Sequence, residues 1–138
     1  MDTFNLVKLQ KELEQDEGRR NKPYPDSEGI LTIGVGYNLE KGLPDTIIDQ
    51  LFCLSTNEAI EDAESLFKGY KDLTAARQRV VVNMAFNLGR SRLKGFKKMI
   101  QAVRDHKWEE AAAEMLDSKW HDDVGKRAER LAKMMRDG

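Results

Sequence analysis

Leu6, Leu9 and Leu13 recur at helical spacing, with Lys8, Lys11, Glu12 and Glu14 between them. This period predicts an amphipathic helix over about residues 3–16. One more step of four from Leu13 reaches Glu17, immediately before Gly18. A carboxylate at the end of an inward-facing stripe is expected to have a partner or a chemical task. Residues 22–38 change character. Pro23, Asp26-Ser27-Glu28-Gly29, Gly34 and Gly36 punctuate short β-favouring pieces that contain Tyr24, Ile30-Leu31-Thr32-Ile33 and Val35. The pattern predicts a small hairpin sheet with its turn near 26–29. Pro44 is expected to open a short helix through about Leu51.

From residue 55 the periodicity is helical. Ser55-Thr56-Asn57-Glu58 has the form of a capping box, and Gly69 is a suitable stop for the helix after it. The next helix, about 73–88, carries Val80, Val81, Val82, Met84, Ala85 and Phe86 with one interruption. A helix apolar on most sides is a central one, and Gly89 is its expected end. Trp108, Ala111, Ala112, Met115 and Leu116 mark one face of a later helix; Ala128, Leu131, Ala132 and Met135 mark the last. Trp108, Trp120 and the methionines at 84, 115, 134 and 135 read as packing residues. The expected fold class is α+β and mostly helical. It is a single domain over 1–138, with a small N-terminal α+β lobe (1–55), a larger helical lobe (56–138) and a cleft between them.

Charge and composition narrow the function. Residues 1–55 hold 6 Lys and Arg against 10 Asp and Glu, and residues 56–138 hold 17 against 14. That excess is too small for the dominant basic face of a nucleic-acid binder. Arg90, Arg92, Lys94, Lys97 and Lys98 form a local basic cluster, read as a solvated helix face or as a weak attraction for acidic peptides. Two histidines, His106 and His121, and one cysteine, Cys53, give no zinc-binding spacing and no internal disulfide. Cys53, among Leu51, Phe52 and Leu54, is expected to be a buried apolar residue. His121 is expected at the surface without a catalytic part. No apolar run approaches the ~20 residues that span a membrane. The opening residues lack the layout of a signal peptide, so synthesis in a bacterial cytoplasm without self-export is the expectation.

The chemistry concentrates in Asp16-Glu17-Gly18, Asp26-Ser27-Glu28-Gly29 and Thr32-Ile33-Gly34-Val35-Gly36. Two carboxyls and a hydroxyl suit glycosidic cleavage: one protonates the leaving oxygen, another activates water and the hydroxyl helps hold it. Gly34 and Gly36 would admit a polysaccharide close to the backbone. This frame, with Tyr24, resembles the phage-type lysozymes (muramidases) of glycoside hydrolase family 24, the T-even phage enzymes among them. The resemblance continues through Asn83-Met84-Ala85-Phe86-Asn87-Leu88-Gly89, Gly95-Phe96, Trp108-Glu109-Glu110-Ala111-Ala112, Ser118-Lys119-Trp120 and Arg127-Ala128-Glu129-Arg130, in the family's order.

The resemblance implies roles. Glu17 is the general acid, Asp26 directs water and Thr32 orients it. Arg127 pairs with the acid and links the lobes. Gly36, Asn38, Phe86 and Asn87 line the saccharide cleft. The implied reaction is hydrolysis, with inversion, of the β-1,4 bond between N-acetylmuramic acid and N-acetylglucosamine in peptidoglycan. It needs no metal or other cofactor, and the implied enzyme is a monomer. Lysis would depend on a separate pore-forming protein that releases it to the periplasm. Tyr37 stands where the best-known relatives carry histidine, and Met99 and Glu114 align with polar cleft contacts. Two other readings remain: a lytic transglycosylase on the same substrate, or an inactive wall-binding or tail module that kept the fold.

Overall fold

The computed structural model describes residues 3–138. The Asn5 side chain accepts from the Lys8 N–H at 3.0 Å and so caps α1 (Leu6–Glu17). Gly18 ends the helix at φ +79°, its N–H bonded to the Glu14 carbonyl. Three antiparallel strands follow in sequence order: β1 (Arg20–Pro25), β2 (Leu31–Gly34) and β3 (Tyr37–Asn38). Tyr24 pairs with Thr32, and Thr32 with Asn38, so Thr32 is the centre of the sheet. The expected turn lies where the sequence placed it. The expected burial of α1 does not hold: no residue of α1 is buried, with Leu6 56% and Leu13 45% exposed. Strands of six, four and two residues cannot cover a twelve-residue helix.

The sequence's two helices between Pro44 and Gly69 are one, α2 (Asp45–Leu66). The Pro44 carbonyl accepts from Ile47 and Ile48 at its start. Nothing between 45 and 66 is a glycine or proline, so Ser55–Glu58 continues the helix and caps nothing. The buried residues of α2 are Ala59 and Ala63. Cys53 is exposed, contrary to expectation, as are Leu51, Phe52 and Leu54 around it. An apolar run is buried only where another element covers it.

Gly69 turns the chain at φ +83°. α3 (Ala75–Leu88) starts on the Thr74 cap and stops at Gly89. Five helices follow: α4 (Arg90–Lys94), α5 (Lys97–Arg104), α6 (Trp108–Leu116), α7 (Lys119–Val124) and α8 (Lys126–Asp137). α6 packs on α5 and α8, and α3 on α8. Their shared core holds Val80, Val81, Met84, Met115, Leu131 and Met135, together with Ala111, Ala128 and Ala132. Leu116, expected on the buried face of α6, is 39% exposed. Arg77 is buried within α3. It donates to the Met135 and Arg136 carbonyls and lies 3.8 Å over the Trp108 ring, closing the end of α8. The five residues of the basic cluster are all exposed.

The chain divides into two compact units, Met1–Asp49 and Gln50–Gly138. Among the described residues no helix is long and apolar enough to cross a membrane.

Candidate active site

Five of the candidate residues, Glu17, Asp26, Thr32, Gly36 and Asn38, belong to the first unit. Asp26 closes the β1–β2 turn: its Oδ1 accepts from the Glu28 and Ile30 N–H groups, each at 2.8 Å. Its own N–H donates to the Ile30 carbonyl at 2.9 Å. This is an Asx turn, built from the side chain's acceptor and its neighbours' donors. Thr32 is 4% exposed, and its Oγ1 is 2.8 Å from the Ile30 carbonyl. A carbonyl only accepts, so the threonine hydroxyl donates there. The Ile30 main chain therefore braces both residues, through its N–H to the Asp26 carboxylate and its C=O, which accepts from the Asp26 N–H and the Thr32 hydroxyl.

Those commitments decide what each group has left. Asp26 spends Oδ1 on the turn and keeps Oδ2. Thr32 has given its only proton to Ile30, so toward a water it is an acceptor. A water donating one proton to Asp26 Oδ2 and one to Thr32 Oγ1 keeps its lone pairs for attack.

Glu17, the last residue of α1, is exposed. Its carboxylate rests against Gly36 in the β2–β3 turn. A Cβ on Gly36 would lie 2.9 Å from Glu17 Oε2 and 3.1 Å from its Cδ. Gly36 also adopts φ +68°, a left-handed conformation that favours glycine. The glycine thus makes a notch for the acid, where the sequence suggested room for sugar. Asn38 Oδ1 accepts from Glu40 N–H at 2.8 Å, so its amide NH2 remains free to donate. Tyr37, in the departure from the family pattern, donates its hydroxyl to the Gly42 carbonyl.

The remaining candidates belong to the second unit. Arg127 forks onto one atom, Asn83 Oδ1, through Nε at 3.0 Å and a terminal nitrogen at 2.7 Å. Phe86 is 46% exposed and meets Phe52 edge to face at 6.0 Å. These side chains and Val82 line an open cavity of about 650 Å³. Asn87 accepts from the Trp120 indole N–H at 2.7 Å, which leaves its amide donors free. Trp120, Phe96, Met99 and Glu114 line a second cavity of about 550 Å³. Met99 itself is buried.

In the sequence Asn83 is marked only as the one polar residue between Val80 and Phe86. Among the described residues no group of three His, Cys, Asp or Glu side chains could hold a metal ion.

The phage lysozyme family matches residues 14–136. "Probable T4-type lysozyme 1" of Dictyostelium discoideum is 28% identical over 91% of this chain and 92% of its own length. Peptidoglycan hydrolase gp36 of Pseudomonas phage phiKMV is 30% identical over 97% of this chain, which spans 15% of that longer protein. The pre-baseplate central spike protein Gp5 of Enterobacteria phage T4 is 26% identical over 91% of this chain and 27% of its own length.

Proposed function

The chain belongs to the phage lysozyme family and is a glycoside hydrolase, and on that premise we propose that it cleaves the β-1,4 bond between N-acetylmuramic acid and N-acetylglucosamine in bacterial peptidoglycan. One observation carries the reading: the Glu17 carboxylate is seated on Gly36, in the same small sheet whose Ile30 main chain braces Asp26 and Thr32.

Glu17 protonates the leaving glycosidic oxygen. The water held by Asp26 Oδ2 and Thr32 Oγ1 attacks the anomeric carbon from the opposite face, and Asp26 takes its proton. A water between the two carboxyls requires them ~6.5–9.5 Å apart and gives inversion. The free amide donors of Asn38 and Asn87 suit acetamido and hydroxyl oxygens of the glycan, and Phe86 offers an apolar face to a sugar ring. The biological setting we infer is host-cell lysis, with the enzyme made in the cytoplasm and released to the wall by a separate pore-forming protein.

Glu17→Gln tests the assignment. The substitution keeps the side chain's shape and removes its titratable proton. Clearing of permeabilised Gram-negative cells is expected to fall by about 10²–10⁴, with the thermal transition unchanged. Clearing at the wild-type rate overturns the role of Glu17. Mass spectrometry of the digest reads the chemistry: reducing muramic ends support hydrolysis, and anhydro-muramoyl ends overturn it.

A further inference from the structure

His121 stands in α7 with an acceptor at each ring nitrogen. Nδ1 is 2.9 Å from the Leu116 carbonyl, the last of α6, and Nε2 is 3.3 Å from Glu129 Oε1 in the first turn of α8. A carbonyl oxygen only accepts, and an ionised carboxylate only accepts. A neutral imidazole has one N–H. Whichever nitrogen carries it, the other directs a lone pair at an oxygen. Only the imidazolium donates to both, so the geometry fits the protonated ring.

The surroundings agree. The C-terminal end of α6 carries the negative end of its helix dipole, which favours a cation. The charged groups facing the ring are Glu129 from α8 and Asp122 from its own helix; α6 contributes the Leu116 carbonyl. The hydrogen bond to Glu129, then that to Leu116, raise the His121 pKa above its ordinary value, against the opposing effect of burial.

α7 is six residues long; its Trp120 is buried in the core, and Ser118 Oγ donates to the Met115 carbonyl at 2.6 Å. Ser118 caps its start by accepting from the His121 N–H at 3.2 Å. The residue before His121 is Trp120, whose indole fixes Asn87. Loss of the imidazolium removes one of the two side-chain hydrogen bonds by which His121 joins α7 to the ends of α6 and α8, one residue from that indole.

We propose that His121 is a proton-operated latch on α7, coupling pH to the Trp120–Asn87 contact and making His121 a positioning residue. The consequence for binding rests on the assignment of Asn87 to the saccharide wall: glycan is held more tightly on the acid side of the His121 midpoint. Because the folded-state value is raised, the tie is fully present below pH ~6.5, the ordinary imidazole value. It is lost as pH rises through the higher folded-state value.

NMR titration of the intact chain, without substrate, tests the latch. His121→Gln distinguishes the His121 imidazole signal from that of His106. The expected result is a His121 midpoint above 6.5 and a Trp120 indole N–H resonance that moves with the same midpoint. In Glu129→Gln the His121 midpoint falls toward the ordinary value. A Trp120 resonance that stays flat through the His121 titration, or a midpoint at or below 6.5, overturns the latch. The linked kinetic readout is a KM for solubilised peptidoglycan that rises through this midpoint at constant kcat, and does not in His121→Gln. A flat wild-type KM overturns the link to glycan. If the wild type cleaves no peptidoglycan at all, the proposed function fails, and the two resonances still decide the latch.

Discussion

Of the described residues before Gln50, Thr32 alone is buried, whereas all twenty buried apolar side chains lie between Ala59 and Met135. The first unit keeps its shape by local means: a capped helix, an Asx turn, two short strand pairings and glycines at positive φ. The second keeps its shape by packing helices around methionine, valine, leucine and alanine. The proposed catalytic groups and Asn38 sit in the sparsely packed unit, and the other proposed glycan contacts, Phe86 and Asn87, sit on the densely packed one. In the first unit the Asp26 carboxylate and the Thr32 hydroxyl are positioned by directional bonds to the backbone. In the second, a rigid core presents a few half-exposed side chains at its surface.

The sharpest way to break this contrast is to delete apolar volume on each side. Leu131→Ala, inside the helical core, is expected to destabilise by about 2–5 kcal/mol. Leu13→Ala, on the uncovered face of α1, is expected to cost no more than about 0.5 kcal/mol. Denaturant melts followed by circular dichroism measure both, and equal losses would mean that α1 packs as the core does. Gly36→Ala comes next. The left-handed conformation should cost about 1–2 kcal/mol. The new Cβ also displaces the Glu17 carboxylate, so clearing activity should fall by about 10²-fold, as for other small misplacements of a reacting group. An active Gly36→Ala enzyme would separate Glu17 from the hairpin. The smallest effect expected is a coupling between Arg127→Ala and Glu17→Gln. A double-mutant cycle should show at least ~0.5 kcal/mol if the pairing implied by the resemblance operates, and additivity rejects it.

What could be read from the sequence follows the same division. The turn at 26–29 was legible because an Asx turn is written in a few adjacent residues. The final helix was legible because Ala128, Leu131, Ala132 and Met135 repeat one face and a partner covers it. Leu6, Leu9 and Leu13 repeat as cleanly, but periodicity names the face that would be buried and not whether anything lies over it. Ser55–Glu58 misled for a related reason: a capping box acts only at a helix start, and α2 has already begun ten residues earlier. The apolar neighbours of Cys53 predict a buried thiol, but those neighbours are themselves exposed. At the candidate site, residue types and order were visible, while the brace at Ile30 and the notch at Gly36 were not. Both depend on main-chain atoms, which any residue supplies and no sequence pattern marks.

The placement of the two tryptophans has a practical consequence. Trp108 lies under the Arg77 guanidinium, and the Trp120 indole is bonded to Asn87; both belong to the helical unit. The first unit contains Tyr24 and Tyr37 but no tryptophan. Intrinsic emission excited at the indole band therefore follows the helical unit alone. A variant with a frayed hairpin and no activity would give an unaltered emission curve and pass as intact. Tyrosine absorbance or amide exchange is the readout that sees the unit where the bond is proposed to break.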